Sequence, residues 1–221
     1  MVFPVLRVAF FPVLRFFTKR AVNIENLPKE GPYLIVCKHV GALDGFFLAA
    51  VAVPYLDKKI RFIAKVNEWG YVWKTMISSN WARVIEFLPE DRSRCLIDAS
   101  DALTAGDIVA LYPEGYLDEL DHSSRPKTGA ARLAIWKRVP IVPVGLQYDI
   151  TVRSHRKVLN QFWRSVWNAL KNPHSMVITF GKPFELTEYY GKEMNEDVLR
   201  SATEKIMGEI EALTHVNNIN K

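Results

Sequence analysis

Cysteine is nearly absent from this chain: Cys37 and Cys95 are the only two in 221 residues. They lie far apart, outside any CxxC or paired Cys/His spacing, which argues against a disulfide framework and against a structural zinc site. A reducing, cytosol-facing compartment is the simple reading. No HExxH pattern is present, so a zinc hydrolase of that type is not expected. No GxSxG elbow marks a serine nucleophile, and Ser78-Ser79 and Ser123-Ser124 stand in unremarkable contexts. Also lacking are a linker, a low-complexity stretch and an uncharged apolar run of the roughly 20 residues that a spanning helix needs. One domain with a sizeable core is the expectation.

What is present is a globular balance, 49% hydrophobic and 24% charged, with a formal net charge of +5. That is too apolar for disorder. A basic total suits nucleic acid, an anionic membrane surface or acidic substrates, and position chooses among them. Residues 1–20 carry Arg7, Arg15, Lys19 and Arg20 and no acid, within a run rich in Phe, Val, Leu and Pro that repeats FPVLR at 3–7 and 11–15. A secretory leader is not expected, because Arg15 interrupts the apolar region and no small-residue cleavage site follows. Read as a helix, the segment gathers Arg7, Arg15, Thr18 and Lys19 into a sector of roughly 120°, and the rest is almost wholly apolar. Such a segment, 1–21, lies in a membrane interface with its bases reaching headgroups, kinked or split at Pro12. The plainer alternative is a core-packing helix with one solvated stripe.

From residue 33 short β-rich runs alternate with helical stretches. Strands are predicted at Tyr33–Cys37, Ile60–Ala64, Ala82–Phe87, Ile108–Tyr112, Ile141–Gln147 and Met176–Phe180. Helices are predicted at Leu43–Val53, ended by Pro54, and at about 68–78, 91–105, 127–138, 156–171 and 195–213. Alternation of this kind predicts a single α/β domain, 22–221, whose central, mostly buried sheet is flanked by helices. The 156–171 stretch mixes Trp163 and Trp167 with Arg156, Lys157, Arg164 and Lys171, which suits a membrane interface or a helix packed on the sheet. Nucleic-acid binding is not expected, since no RNP-like or helix-turn-helix pattern occurs.

Sites in such sheets form in loops after strand carboxyl ends. Two of these loops carry reactive residue types: Lys38-His39-Val40-Gly41-Ala42-Leu43-Asp44, and Tyr112-Pro113-Glu114-Gly115. His39 and Asp44, five apart, do not share a helix face. They meet if His39 ends the strand, Gly41 helps the loop turn and Asp44 sits in the first helical turn. Asp44 then accepts from imidazole Nδ1–H and leaves Nε2 as a base. Alone the pair equally suits a structural histidine capping a strand-to-helix turn. Without a protein nucleophile beside it, a His–Asp base implies that the nucleophile is the substrate's own hydroxyl.

His39-x4-Asp44, Tyr112-Pro113-Glu114-Gly115 and Val139-Pro140-Ile141-Val142-Pro143-Val144, in that order, resemble three of four blocks of the glycerolipid acyltransferases, which include the lysophosphatidic acid acyltransferases. Glu25–Pro32, Lys127–Ala134 and Phe180-Gly181-Lys182-Pro183 resemble the family's flanks, so the likeness covers roughly residues 22–185. The resemblance implies an O-acyltransferase with His39 as general base and Asp44 as its orienter. It implies acyl-CoA or acyl-carrier protein as donor substrate, no metal and no other cofactor. Membrane lipids are the implied partners, met from the cytoplasmic face. Pro113, Glu114 and Gly115 would lie beside the acceptor, with Glu114 bonding its hydroxyls or bracing the loop, and a backbone N–H near Gly115 serving the oxyanion. The alternative for Glu114 is a helix cap or a loop salt bridge.

The sequence departs from the family at two places. Glu86 stands near the expected arginine of the second block, and Tyr116-Leu117-Asp118 replaces the Thr-Arg-Ser that follows Pro-Glu-Gly. Two arginines that grip an acceptor phosphate are therefore missing, and a phosphomonoester beside carboxylates is repelled. Arg83 and Lys65 are the leading substitutes, with Arg92, Arg94, Arg125 and Lys127 behind them, each equally at home on a solvated surface. The acceptor is then expected to be a lysophospholipid with a shielded phosphodiester, a glycolipid or another lipid alcohol. A non-catalytic lipid-binding protein and an acyl-CoA thioesterase are the alternatives.

Overall fold

The computed structural model describes residues 6–39, 43–65, 83–115, 125–148, 167, 170–171 and 173–216. Seven strands build one sheet: β1 (Thr18–Val22), β2 (Tyr33–Cys37), β3 (Ile60–Ala64), β4 (Ile85–Glu86), β5 (Ile108–Leu111), β6 (Ile141–Tyr148) and β7 (Met176–Phe180). Their order is β1-β7-β6-β2-β5-β3-β4. Every neighbouring pair is parallel except β6 and β7. The helices are α1 (Phe11–Phe17), α2 (Asp44–Leu56), α3 (Arg92–Thr104), α4 (Gly129–Lys137) and α5 (Glu196–Val216).

Parallel strands covered on both faces read as continuous apolar runs, and β2 is buried along its whole length. Alternate residues serve two cores. Tyr33, Ile35 and Cys37 pack with Phe47, Leu48 and Val51 of α2 and with Phe11 and Leu14 of α1. Leu34 and Val36 pack with Ala99 and Leu103 of α3, Leu133 and Ala134 of α4, and Ala202 and Ile206 of α5. The sheet is thus a middle layer with α1 and α2 on one side and α3, α4 and α5 on the other. A single α/β domain with a buried central sheet is what the sequence predicts.

Local differences have physical reasons. The helix after His39 runs through Pro54 to Leu56 instead of stopping before it. Pro54 lacks the N–H that would bond the Ala50 carbonyl oxygen, so the helix gives up that one ladder bond and ends two residues later. Residues 18 and 19, expected to continue the N-terminal helix, belong instead to β1, which pairs in parallel with β7. The sheet therefore takes residues from both sides of position 21. The preceding turn, Leu6–Phe10, is π-helical and gives way to α1 next to Pro12.

Arg7 does not reach outward. Its guanidinium donates to the carbonyl oxygens of Val53 and Pro54 and pairs with Asp57 at 2.9 Å, at the carboxyl end of α2. Phe11 and Leu14 are buried, whereas Val8, Val13 and Phe16 are more than half exposed. No helix among the described residues is long and apolar enough to cross a membrane. The helix expected at 68–78 lies outside the described residues, as does most of that at 156–171, of which Trp167, Leu170 and Lys171 are helical.

Candidate active site

β2 and β5 are neighbours in parallel register, Val36 opposite Leu111, so the loops that follow them leave the same edge of the sheet side by side. His39 stands two residues beyond β2, and Asp44 opens α2. His39 Nδ1 lies 2.9 Å from Asp44 Oδ2. The Asp44 side chain is fully buried and that of His39 is 21% exposed. An ionised carboxylate accepts and does not donate, so it favours the tautomer with the proton on Nδ1, in which a neutral imidazole keeps its lone pair on Nε2. Residues 40–42, including Gly41, lie outside the described residues.

The second loop braces the first. Glu114 Oε2 accepts the backbone N–H of His39 at 2.9 Å. Burial pushes the Glu114 carboxyl above its ordinary value, and the His39 N–H and the Lys38 charge pull it part of the way back. Of the two roles foreseen for Glu114, this contact is the bracing one. Tyr112 completes the enclosure: its ring stacks on the imidazole with centroids 4.5 Å apart. Sequence patterning gave Tyr112 no role, because a tyrosine ending a buried strand reads simply as core.

Beneath the pair, Cys37 is buried and its thiol donates to the carbonyl oxygen of Lys38 at 3.4 Å. Burial, with Asp44 and Glu114 nearby, holds that thiol well above its usual range. Kept protonated, it is a poor nucleophile. Among the described residues no serine or threonine hydroxyl bonds His39.

The remaining candidates divide. Pro113 is buried, and its carbonyl oxygen accepts the Lys127 N–H at 2.6 Å, which ties the loop to the approach to α4. Gly115 adopts φ +74, a left-handed value natural to glycine. Its N–H already donates to the Tyr112 carbonyl oxygen at 3.1 Å, so the expected oxyanion donor is not Gly115 itself. Lys65 follows β3 at the same edge as His39. Arg83 does not join the site. Its guanidinium sits 3.7 Å from Asp107, the residue before β5, at the amino edge of the sheet. Arg61 pairs with the same carboxylate at 2.5 Å, so Asp107 gathers two arginines away from His39. Glu86 ends β4 at the carboxyl edge. Asp118 lies outside the described residues.

A buried aspartate bonded to Nδ1 of a partly exposed histidine is an arrangement chemically able to serve as a general base. The chain belongs to the acyltransferase family, whose model matches residues 19–147. Over 132 residues it is 27% identical to the 1-acyl-sn-glycerol-3-phosphate acyltransferase of Bacillus subtilis (strain 168), covering 58% of this chain and 62% of that protein. A protein of Mycobacterium tuberculosis described as uncharacterized is 26% identical over 151 residues, which cover 61% of this chain and 40% of the relative. The chain thus spans less than two thirds of the length of these relatives. In fold it is similar to the crystal structure of the 1-acyl-sn-glycerophosphate (LPA) acyltransferase PlsC from Thermotoga maritima. The TM-score is 0.58 at 16% identity, covering 96% of this chain and 81% of that one.

Proposed function

We propose that this chain is an O-acyltransferase that moves a fatty acyl group from an acyl thioester to a hydroxyl of a membrane lipid. The observation that carries the reading is the 2.9 Å contact between His39 Nδ1 and the buried Asp44 carboxylate. Family membership supports acyl transfer, and the Bacillus relative is named for acylation of a glycerol phosphate.

The chemistry follows from the geometry. Nε2 of His39 takes the proton of the acceptor hydroxyl as its oxygen attacks the thioester carbonyl. The carbonyl π pair moves onto oxygen, giving a tetrahedral oxyanion. Its collapse re-forms the carbonyl and expels the thiolate, which recovers the proton from the imidazolium. Asp44 stabilises the imidazolium while it exists, and Glu114 keeps the histidine backbone in place. The donor is acyl-CoA or acyl-carrier protein, and no metal takes part. The exposed apolar side chains of Val8, Val13 and Phe16 are suited to hold the protein on the cytoplasmic face of a membrane, where the acceptor resides.

The test is thiol release from a long-chain acyl-CoA by the purified protein, with and without vesicles containing lysolipid. Release is expected to depend on the lysolipid and to fall about 10²–10⁴-fold in His39→Ala. Undiminished activity in His39→Ala refutes the mechanism. Release indifferent to lysolipid identifies a thioesterase instead, and no release at all favours a lipid-binding protein.

A further inference from the structure

The tryptophans and bases of 156–171 suit either a membrane interface or a helix packed on the sheet, and the structure separates the two at the carboxyl end of that stretch. Trp167, Leu170 and Lys171 are helical, and the first two are 60% and 58% exposed. A helix packed on a sheet buries its Trp and Leu, so these side chains are not packed there. Three residues apart, they share one helix face. Lys171 holds its ammonium 5.4 Å from the centre of the Trp167 ring.

The fold brings α1 to the same place. β1 and β7 run parallel, with Thr18 opposite Met176. Phe16 and His174 each come two residues before that pair, and their rings meet with centroids 4.7 Å apart. Leu170 is four residues before His174, so their Cα atoms lie within about 14 Å of each other even for extended chain. Val13 and Phe16 are both more than half exposed and are again three residues apart. Two exposed apolar rows thus border one ring contact. Arg15, Lys19, Arg20 and Lys171 are exposed around them. Residues 1–24 and 150–184 contain no Asp or Glu.

The strand registers give this surface its position. Cys37, two residues before His39, is opposite Val144, and Met176 is opposite Tyr148, four residues farther along β6. At about 3.3 Å per residue, Met176 and its neighbour Thr18 stand about 13 Å beyond Cys37, past the edge from which the His39 loop leaves. From there α1 runs back along α2, with Phe10 against Phe46 and Arg7 on the carbonyl oxygens of Val53 and Pro54.

Resting on the membrane-lipid reading above, we infer that Trp167, Leu170 and Lys171 join Val13 and Phe16 in one bilayer-binding surface, which turns the His39 edge of the sheet toward anionic lipid. The occupant is a bilayer and not a second copy of the chain. Two copies would meet base to base across this surface, whereas anionic headgroups pair with the bases while Trp and Leu enter the interface.

Full-length protein is mixed with phosphatidylcholine vesicles, with and without phosphatidylglycerol, and binding is read by flotation. The wild type is expected to bind the anionic vesicles. Trp167→Glu, Leu170→Glu and Val13→Glu are each expected to weaken binding about tenfold or more, with an unchanged circular dichroism spectrum. Lipids brominated in the acyl chain are expected to quench wild-type tryptophan fluorescence more than that of Trp167→Phe. Wild-type binding by Trp167→Glu or Leu170→Glu, or equal quenching in Trp167→Phe, overturns the proposal. So do dimers in lipid-free sedimentation that Trp167→Glu breaks apart. Thiol release from acyl-CoA separates this surface from the chemistry. With short-chain lysophospholipids dispersed as monomers, the Glu variants are expected to match the wild type, and with vesicle-borne lysophospholipids to fall about tenfold. Wild-type rates on vesicles in variants that bind weakly overturn the orientation toward lipid. Absent release from the wild type counts against acyl transfer alone, since flotation and quenching still decide the surface.

Discussion

The imidazole of His39 lies against the ring of Tyr112, with the two planes inclined by 28°. The Tyr112 hydroxyl, in contrast, is buried without a hydrogen-bond partner, and burial pushes it well above the usual phenol range. Ring and hydroxyl are therefore separable. Tyr112→Phe keeps the stack and removes an unsatisfied group, so stability is expected to hold or rise by about 1 kcal/mol in urea unfolding, with activity retained. Tyr112→Leu loses the aromatic wall and is expected to lower kcat while leaving KM for the acyl donor unchanged. Equal kcat in both variants would show that stacking does nothing for the base.

Asp44 is fully buried, and its carboxylate meets the imidazole directly. Asparagine fits the same space but supplies an N–H where Nδ1–H needs an acceptor. The histidine then favours the wrong tautomer and loses the charge that supports its protonated form. Asp44→Asn is expected to lower kcat by about 10²–10⁴-fold. Steady-state kinetics on protein with an unchanged circular dichroism spectrum makes the comparison, and a loss under threefold would contradict the orienting role.

Glu114 gives a pH-dependent prediction. Its carboxyl is raised in the folded state, chiefly by burial. For an acid whose folded value is raised, ionisation opposes folding: the penalty is absent below the ordinary value and enters as pH rises from that value through the raised one. Glu114→Gln keeps an oxygen to accept the His39 N–H and has no charge to bury. Relative to wild type it is expected to gain stability between pH 4 and pH 7. Urea midpoints at the two pH values measure this, and a variant that loses ground as pH rises would reverse the sign.

Both thiols are predicted to be inert in the native protein. Burial, with Asp98 nearby, raises the Cys95 thiol to about 11, and Cys37 is held well above its usual range. Native protein at pH 8 should react with Ellman's reagent far more slowly than denatured protein, in which both cysteines react. Rapid labelling of one thiol in the native state would show an opening that exposes it.

Much of this architecture is legible in the sequence where burial is complete. β2, β3 and β7 fall at their predicted boundaries because Tyr33–Cys37, Ile60–Ala64 and Met176–Phe180 are dense in apolar residues. β1 is not legible. Thr18-Lys19-Arg20-Ala21-Val22 has no strong apolar pattern, and its strand form comes from main-chain pairing with β7 at the edge of the sheet. The His39–Asp44 contact follows from strand, loop and first helical turn, all readable locally. The Glu114 brace joins residues 75 apart in the chain and depends on β2 lying beside β5. Arg83 shows the same limit from the other side, since only the fold reveals that Asp107 holds it away from His39.

Helix α2 carries Asp44 at its first residue and receives Arg7 on the carbonyl oxygens of Val53 and Pro54 near its last. Thirteen helical residues make a rod of about 20 Å. One end orients the imidazole, and the other is clamped by the segment that bears Val8, Val13 and Phe16. The N-terminal segment and the His39–Asp44 pair thus meet at opposite ends of a single helix.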